Sequence, residues 1–278
     1  MEVQDSDEQS QVEAVQGAPM RQVIAKVAYD GTNCYGFQVQ PRVPTIQGTL
    51  EESLGTFTTL HGRISAAGRT DRGVHARGQV IGLAHEWRHS LGALQRAWNA
   101  HLPPEIAICG VLEAPSGFHP RFSAHSRTYR YTVVQRTGAD WDARSPLARI
   151  YAAVQSRTLD LVAMQQVASL LLGEHDFATF GTPTVGESTT RTVLQATWQQ
   201  AQPALPPIPG QHLDVAVVFT IEANAFLKHM VRKLVGSMIK VGRGAWSIDE
   251  FASALAAADG ARSAPSAPPN GLVFEVAT

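Results

Sequence analysis

The densest run of chemically capable side chains in this 278-residue chain is Gly68-Arg69-Thr70-Asp71-Arg72-Gly73-Val74-His75, continued by Ala76-Arg77-Gly78. Two glycines, Gly68 and Gly73, bracket an Arg-Thr-Asp triplet directly after a short strand pattern. Glycine permits tight backbone geometry and close approach of a ligand. Arg69 and Asp71 stand two residues apart, so on extended backbone they project to the same side. A guanidinium beside a carboxylate favours its ionised form. An ionised aspartate on a loop, flanked by bases that could hold phosphates, suits a nucleophile or base working on a nucleic acid. An ordinary exposed ion pair on a surface turn has the same spacing, and residue types alone favour that plainer reading.

Two further stretches carry chemistry. Arg127, Tyr129 and Tyr131 alternate onto one face of a strand pattern. That face is either an RNA-binding surface of aromatics and arginines or a tyrosine pair in a core with an arginine at its rim. From Asn224 to Val241 the spacing of Leu227, Met230, Val231, Leu234 and Met238 predicts a long helix with one core face. Lys228, His229, Arg232, Lys233 and Lys240 would form its basic stripe, able to grip phosphates. His85 and His89 lie four apart, but no acidic third ligand accompanies them, so no metal site is expected. Neither a P-loop nor a G-x-G-x-x-G occurs, which leaves nucleotide cofactors unsupported.

The elements that must position these residues follow from periodicity. Strands are expected at Val23–Tyr29, Ile64–Ala67, Gln79–Ala84, Ile106–Leu112, the later part of Phe118–Val134, His212–Ile221 and Leu272–Val276. Helices are expected after a Thr45 cap, then at Leu91–Leu102, Leu159–Leu172, Asn224–Val241 and Ile248–Ala257. Ala201–Gly210, with four prolines in ten residues, reads as a loop. The fold class is α+β: a mixed, mainly antiparallel sheet with flanking helices, arranged as two fused ferredoxin-like halves. The domain reading is a disordered acidic tail at 1–20, a half at 21–135 carrying the Asp71 loop, and a half at 136–278 with the basic helix.

Composition narrows the partners. With 44% hydrophobic and 17% charged residues the chain can bury a sizeable core. The formal charge of -1 conceals an asymmetry: five acids and no Lys or Arg lie in residues 1–20. The remaining 19 of the 24 Asp and Glu face all 23 Lys and Arg. From Arg63 to Arg149 twelve arginines stand against six acids, and arginine's planar fork suits phosphates and base edges. Cys34 and Cys109 are far apart and form neither a disulfide framework nor a zinc motif. No spanning apolar run and no secretory leader pattern is present, so a cytoplasmic protein without a membrane partner is expected.

GRTDRGVHA resembles the active-site motif of the TruA family of tRNA pseudouridine synthases, and four other segments resemble that family's motifs in the same order. These are VAYDGTNCYGFQVQP, FHPRFSAHSRTYRY, LLGEHDFATF and NAFLKHMVRKLVGSMIKVGRG. The likeness runs from about Val23 onward, although Phe37 stands where the family usually has Trp. It implies that Asp71 is the catalytic aspartate and that Tyr129 stacks on the target base. It further implies that Arg69 helps to flip the nucleotide, that Arg232 pairs with the aspartate and that Leu272 lines the pocket. The implied activity is cofactor-independent isomerisation of uridine to pseudouridine at nucleotides 38, 39 and 40 of the tRNA anticodon arm, by a homodimer. A non-catalytic RNA-binding protein on the same scaffold, or a glycosidic-bond hydrolase with a distant second carboxylate, are the alternatives.

Overall fold

Alternation builds the first strand of the computed structural model, which describes residues 18–135, 148–202 and 215–278. In β1 (Met20–Tyr29) the side chains of Val23, Ala25, Val27 and Tyr29 are buried while their neighbours are not. In α1 (Ile46–Gly55) the Thr45 hydroxyl accepts from the Gly48 N–H at 3.2 Å, satisfying a free donor of the first turn. Ile46, Leu50 and Leu54 then fall on one buried face. There follow β2 (Leu60–Ala66), β3 (His75–Glu86), α2 (Leu91–His101), β4 (Ile106–Glu113) and the single turn α3 (Pro120–Ser123). After β5 (Arg127–Gln135) come α4 (Ala148–Tyr151), β6 (Ala153–Gln155), α5 (Leu161–Ser169), β7 (Gly173–Asp176) and β8 (Thr190–Ala201). The remainder is β9 (Val215–Ala223), α6 (Met230–Gly242), α7 (Ile248–Ala256) and β10 (Leu272–Ala277).

These strands form one sheet in the order β4-β1-β3-β10-β5-β9-β8-β7, with β2 beside β3 and β6 beside β5. All pairings are antiparallel except β10 with β3 and β6 with β5. The fold is therefore α+β with a mixed, mostly antiparallel sheet, as the spacing predicts. The run β1-α1-β2-β3-α2-β4 takes the sheet order β4-β1-β3-β2, and β5-α5-β8-β9-α6-β10 takes the order β10-β5-β9-β8. Both are the ferredoxin-like threading. Helix α1 packs on β2 and α2, while α5, α6 and α7 pack on one another. One main core, including Trp98, Tyr131, Phe219 and Phe274, joins the two groups beneath the sheet's centre.

Two expectations need correction and one open reading is decided. The helix expected at Asn224–Val241 begins only at Met230. Lys228 instead pairs in extended form with Thr182, through N–H to oxygen bonds of 3.0 and 3.2 Å, and His229 turns the chain with φ 66°. The basic stripe is consequently not one helical face; Lys240 lies over the Trp246 ring at 4.9 Å. Strands β7 and β8 had no counterpart in the sequence reading. The Arg127, Tyr129 and Tyr131 face is interior: all three are at most 8% exposed, and the Tyr131 hydroxyl donates to the Pro268 carbonyl at 2.8 Å. Residues 1–17, most of the expected tail, and 203–214, most of the expected loop after β8, lie outside the described residues. Among the described residues no helix is long and apolar enough to cross a membrane.

Candidate active site

The loop between β2 and β3, residues 67–74, is held along its length by main-chain contacts. The Ala67 N–H donates to the Val80 carbonyl at 2.9 Å, and the buried Gln79 amide donates to the Gly68 carbonyl at 2.8 Å. The Thr70 hydroxyl meets the Tyr29 hydroxyl at 2.8 Å, while its carbonyl accepts from the Phe37 N–H at 3.0 Å. The turn after β1 thus serves as a seat for the loop. Gly36 has φ +91°, and a Cβ there would come within 2.8 Å of the Thr70 carbonyl oxygen, so the seat requires glycine. Behind the loop, His75 is buried beside Asp30, with Nδ1 3.1 Å from an Asp30 oxygen. Burial would raise the Asp30 pKa, but hydrogen bonds from Thr32, the charge of His75 and the Tyr151 hydroxyl outweigh it and hold that carboxylate low.

Asp71 sits at the end of this seat, on the wall of a cleft of about 1970 Å³. Its side chain is a quarter exposed (25%). Arg232, two residues into α6, donates from Nη1 to Asp71 Oδ2 at 3.2 Å, and its own Nε donates to the Ala267 carbonyl at 2.8 Å. The guanidinium is therefore fixed at both ends. Asp71 Oδ1 accepts no hydrogen bond among the described residues; His229 Nε2 lies 3.7 Å from it. One oxygen is anchored and the other is left with its lone pairs available. A carboxylate so held can attack an electrophilic carbon or take a proton.

The other expected residues are distributed around this carboxylate. Tyr129, from β5, lines the cleft although it is only 8% exposed. The Phe226 and Phe274 rings stand at near right angles to it, with centroids 5.0 and 5.1 Å away, and fix its orientation. Burial pushes its pKa up, so the phenol stays protonated, and its hydroxyl has no hydrogen-bond partner among the described residues. It can donate to a ligand. Leu272, buried on β10 opposite Tyr131, supplies an apolar patch to the same cleft. Arg69 is exposed on the cleft wall and has no ion-pair partner among the described residues. It does not pair with Asp71; Arg232 does.

Sequence reasoning missed two contributors. His229 was placed only in a phosphate-gripping stripe, whereas its left-handed backbone turns the imidazole toward Asp71. Positive φ at a non-glycine residue costs about 1–3 kcal/mol and clusters at functional sites. Arg127 was left open between an RNA face and the rim of a core. It is instead a buried cation whose donors reach the carbonyls of Ala67, Asn224, Ala124 and Arg121, tying the Asp71 loop to the ends of β9 and α3. Burial lowers its pKa. Among the described residues no cluster of three or more His, Cys, Asp or Glu is arranged to hold a metal ion.

The sequence profile of a family described as tRNA pseudouridine synthase matches residues 25–123 and 167–277. The chain belongs to the tRNA pseudouridine synthase family. Asp71, Arg69, Arg232 and Leu272 fall inside the matched segments, and Tyr129 falls between them. Curated relatives carry the name tRNA pseudouridine synthase A. One, from Chloroflexus aurantiacus, is 40% identical over 261 residues, spanning 92% of this chain and 87% of the relative. A Bifidobacterium longum protein is 38% identical and covers 92% of each chain. A third, from a Geobacter species, is 38% identical, covering 91% of this chain and 96% of its own length.

Proposed function

We propose that this chain isomerises uridine to pseudouridine in the anticodon stem-loop of tRNA, at nucleotides 38, 39 and 40, without a cofactor. The reaction breaks the bond from C1′ to N1, turns the base and rejoins it through C5. A proton leaves C5 and N1 gains one, so no electrons are exchanged with a carrier. Asp71 is the nucleophile: its free Oδ1 attacks C1′ as the bond to N1 breaks, C5 of the turned base later displaces it from C1′, and Arg232 holds Oδ2 throughout. Tyr129 and Leu272 enclose the detached base, the phenol by its face and hydroxyl and the leucine by its apolar surface. The unpaired Arg69 stabilises the nucleotide once it has left its stack, which costs a few kcal/mol to open. The same reading includes a homodimer, which rests on the resemblance of the five ordered motifs, and the cytoplasm as its place of work.

The observation that carries this reading is the Arg232–Asp71 contact at 3.2 Å with the second carboxylate oxygen open to the cleft. The test is tritium release from tRNA labelled at uridine C5, with the reacting nucleotides mapped. Wild type should release tritium at nucleotides 38–40. Asp71→Asn should abolish release while tRNA affinity changes by less than about tenfold, because the substitution removes the charge and keeps the shape. Turnover by the asparagine variant at the wild-type rate would sink the assignment.

A further inference from the structure

Of the ten phenylalanines in the chain, one stands in solvent: Phe122 is 76% exposed, whereas the others are buried or half-buried. A lone exposed apolar residue needs no explanation on most surfaces. Phe122 differs because it lines the same cleft as Asp71 and because its mount is rigid. Pro120, one residue into the same turn, is buried against β3, where a Cβ on Gly82 would come within 3.0 Å of its ring. The His119 imidazole caps the turn by accepting from the Arg121 N–H at 3.2 Å. Arg127 holds the turn's carbonyls and the Ala67 carbonyl of the Asp71 loop with one guanidinium. The exposed ring and the carboxylate are thus fixed to a common support.

Its neighbours add a second aromatic ring and a cation. The His119 ring lies 4.5 Å from the Phe122 centroid, tilted by 35°, and the Arg121 guanidinium carbon lies 5.6 Å from it. Aromatic faces beside a cation hold single-stranded bases with little regard to sequence. The cleft, at about 1970 Å³, has roughly twice the volume that encloses one drug-sized ligand, so it has room beyond a single flipped nucleotide. When a uridine leaves its stack, the adjoining base loses a stacking partner. We propose that Phe122 stacks on the unpaired base next to the target uridine, replacing that partner, in a subsite distinct from the pocket around Asp71. The inference rests on RNA being the substrate.

The test compares Phe122→Ala, Phe122→Leu and Phe122→Tyr by tRNA Kd, steady-state C5 tritium release, melting temperature and oligomeric state by light scattering. Because the side chain is exposed, melting temperatures should not move. Alanine should weaken Kd and raise KM by about 5- to 150-fold, the range for one base–aromatic stack. Its kcat should stay within about twofold. Leucine should resemble alanine and tyrosine should resemble wild type. The proposal is overturned if alanine binds tRNA as wild type does, or if leucine restores binding. A fall in oligomeric state with the affinity per assembled protein unchanged would also overturn it, since the ring would then serve a second copy of the chain. Wild type inactive on tRNA would instead remove the RNA reading itself.

Discussion

The loops at 67–74 and 182–188 both line one cleft, but different kinds of bond hold them. The first is fixed by main-chain hydrogen bonds, by the buried Gln79 amide and by the buried Arg127 guanidinium. The second begins at the Thr182–Lys228 bridge and then runs into solvent, with Val185 fully exposed and Gly186 at φ +82°. Its outer part is tied down by Glu187, which pairs with Arg121 and, at 3.8 Å, with Arg191. Buried, fully satisfied polar contacts are costly to break, whereas exposed ion pairs contribute about 0–1 kcal/mol. The wall that carries the carboxylate is rigid, and the second wall can yield to a bulky substrate.

This contrast can be broken most forcefully at Arg127. Arg127→Met removes the donors from four carbonyls in one place. It should lower stability by about 3 kcal/mol or more, read as a fall in denaturation midpoint at unchanged slope. A neutral result would mean that the first loop does not depend on that cation. Next in size, Arg232→Ala takes the single hydrogen bond from Asp71 Oδ2. A charge-assisted bond of about 1.5–3 kcal/mol corresponds to roughly a 10- to 150-fold fall in kcat, and Arg232→Lys should recover only part of it. Equal kcat in all three proteins would separate Arg232 from catalysis. The smallest effect belongs to the second wall: Glu187→Gln should change stability by less than about 1 kcal/mol. By removing a negative charge from the cleft it should leave tRNA affinity equal or tighter, measured by a salt titration. A large loss of stability there would erase the difference between the walls.

Much of the first wall was legible in the sequence. Glycine spacing, the Asp30-Gly31 turn and the short strand before Gly68 are local signals, and each corresponds to a local structure. Non-local pairing was not legible. Thr182 and Lys228 meet only after β8 and β9 are in place, so helical spacing continued past the true start of α6. β8 alternates Arg191 and Val193, then shifts register before Ala196 and Trp198, which weakens a period-two pattern. Arg127 could be read either as an RNA contact or as core because charge says nothing about where carbonyls converge. Residue spacing could not give the partner of Asp71 either: it comes from α6, 161 positions away in the chain, and only the family resemblance pointed to Arg232.

The single strand β10 lies between β3 and β5 and, among the described residues, is the one strand that pairs with both ferredoxin-like groups. It also brings Leu272 to the cleft. Neither group could therefore assemble a working centre by itself, however well it folded. Detachment of the six residues Leu272–Ala277 would open the cleft between the two groups while leaving most of both intact, a partial opening that costs less than unfolding either group.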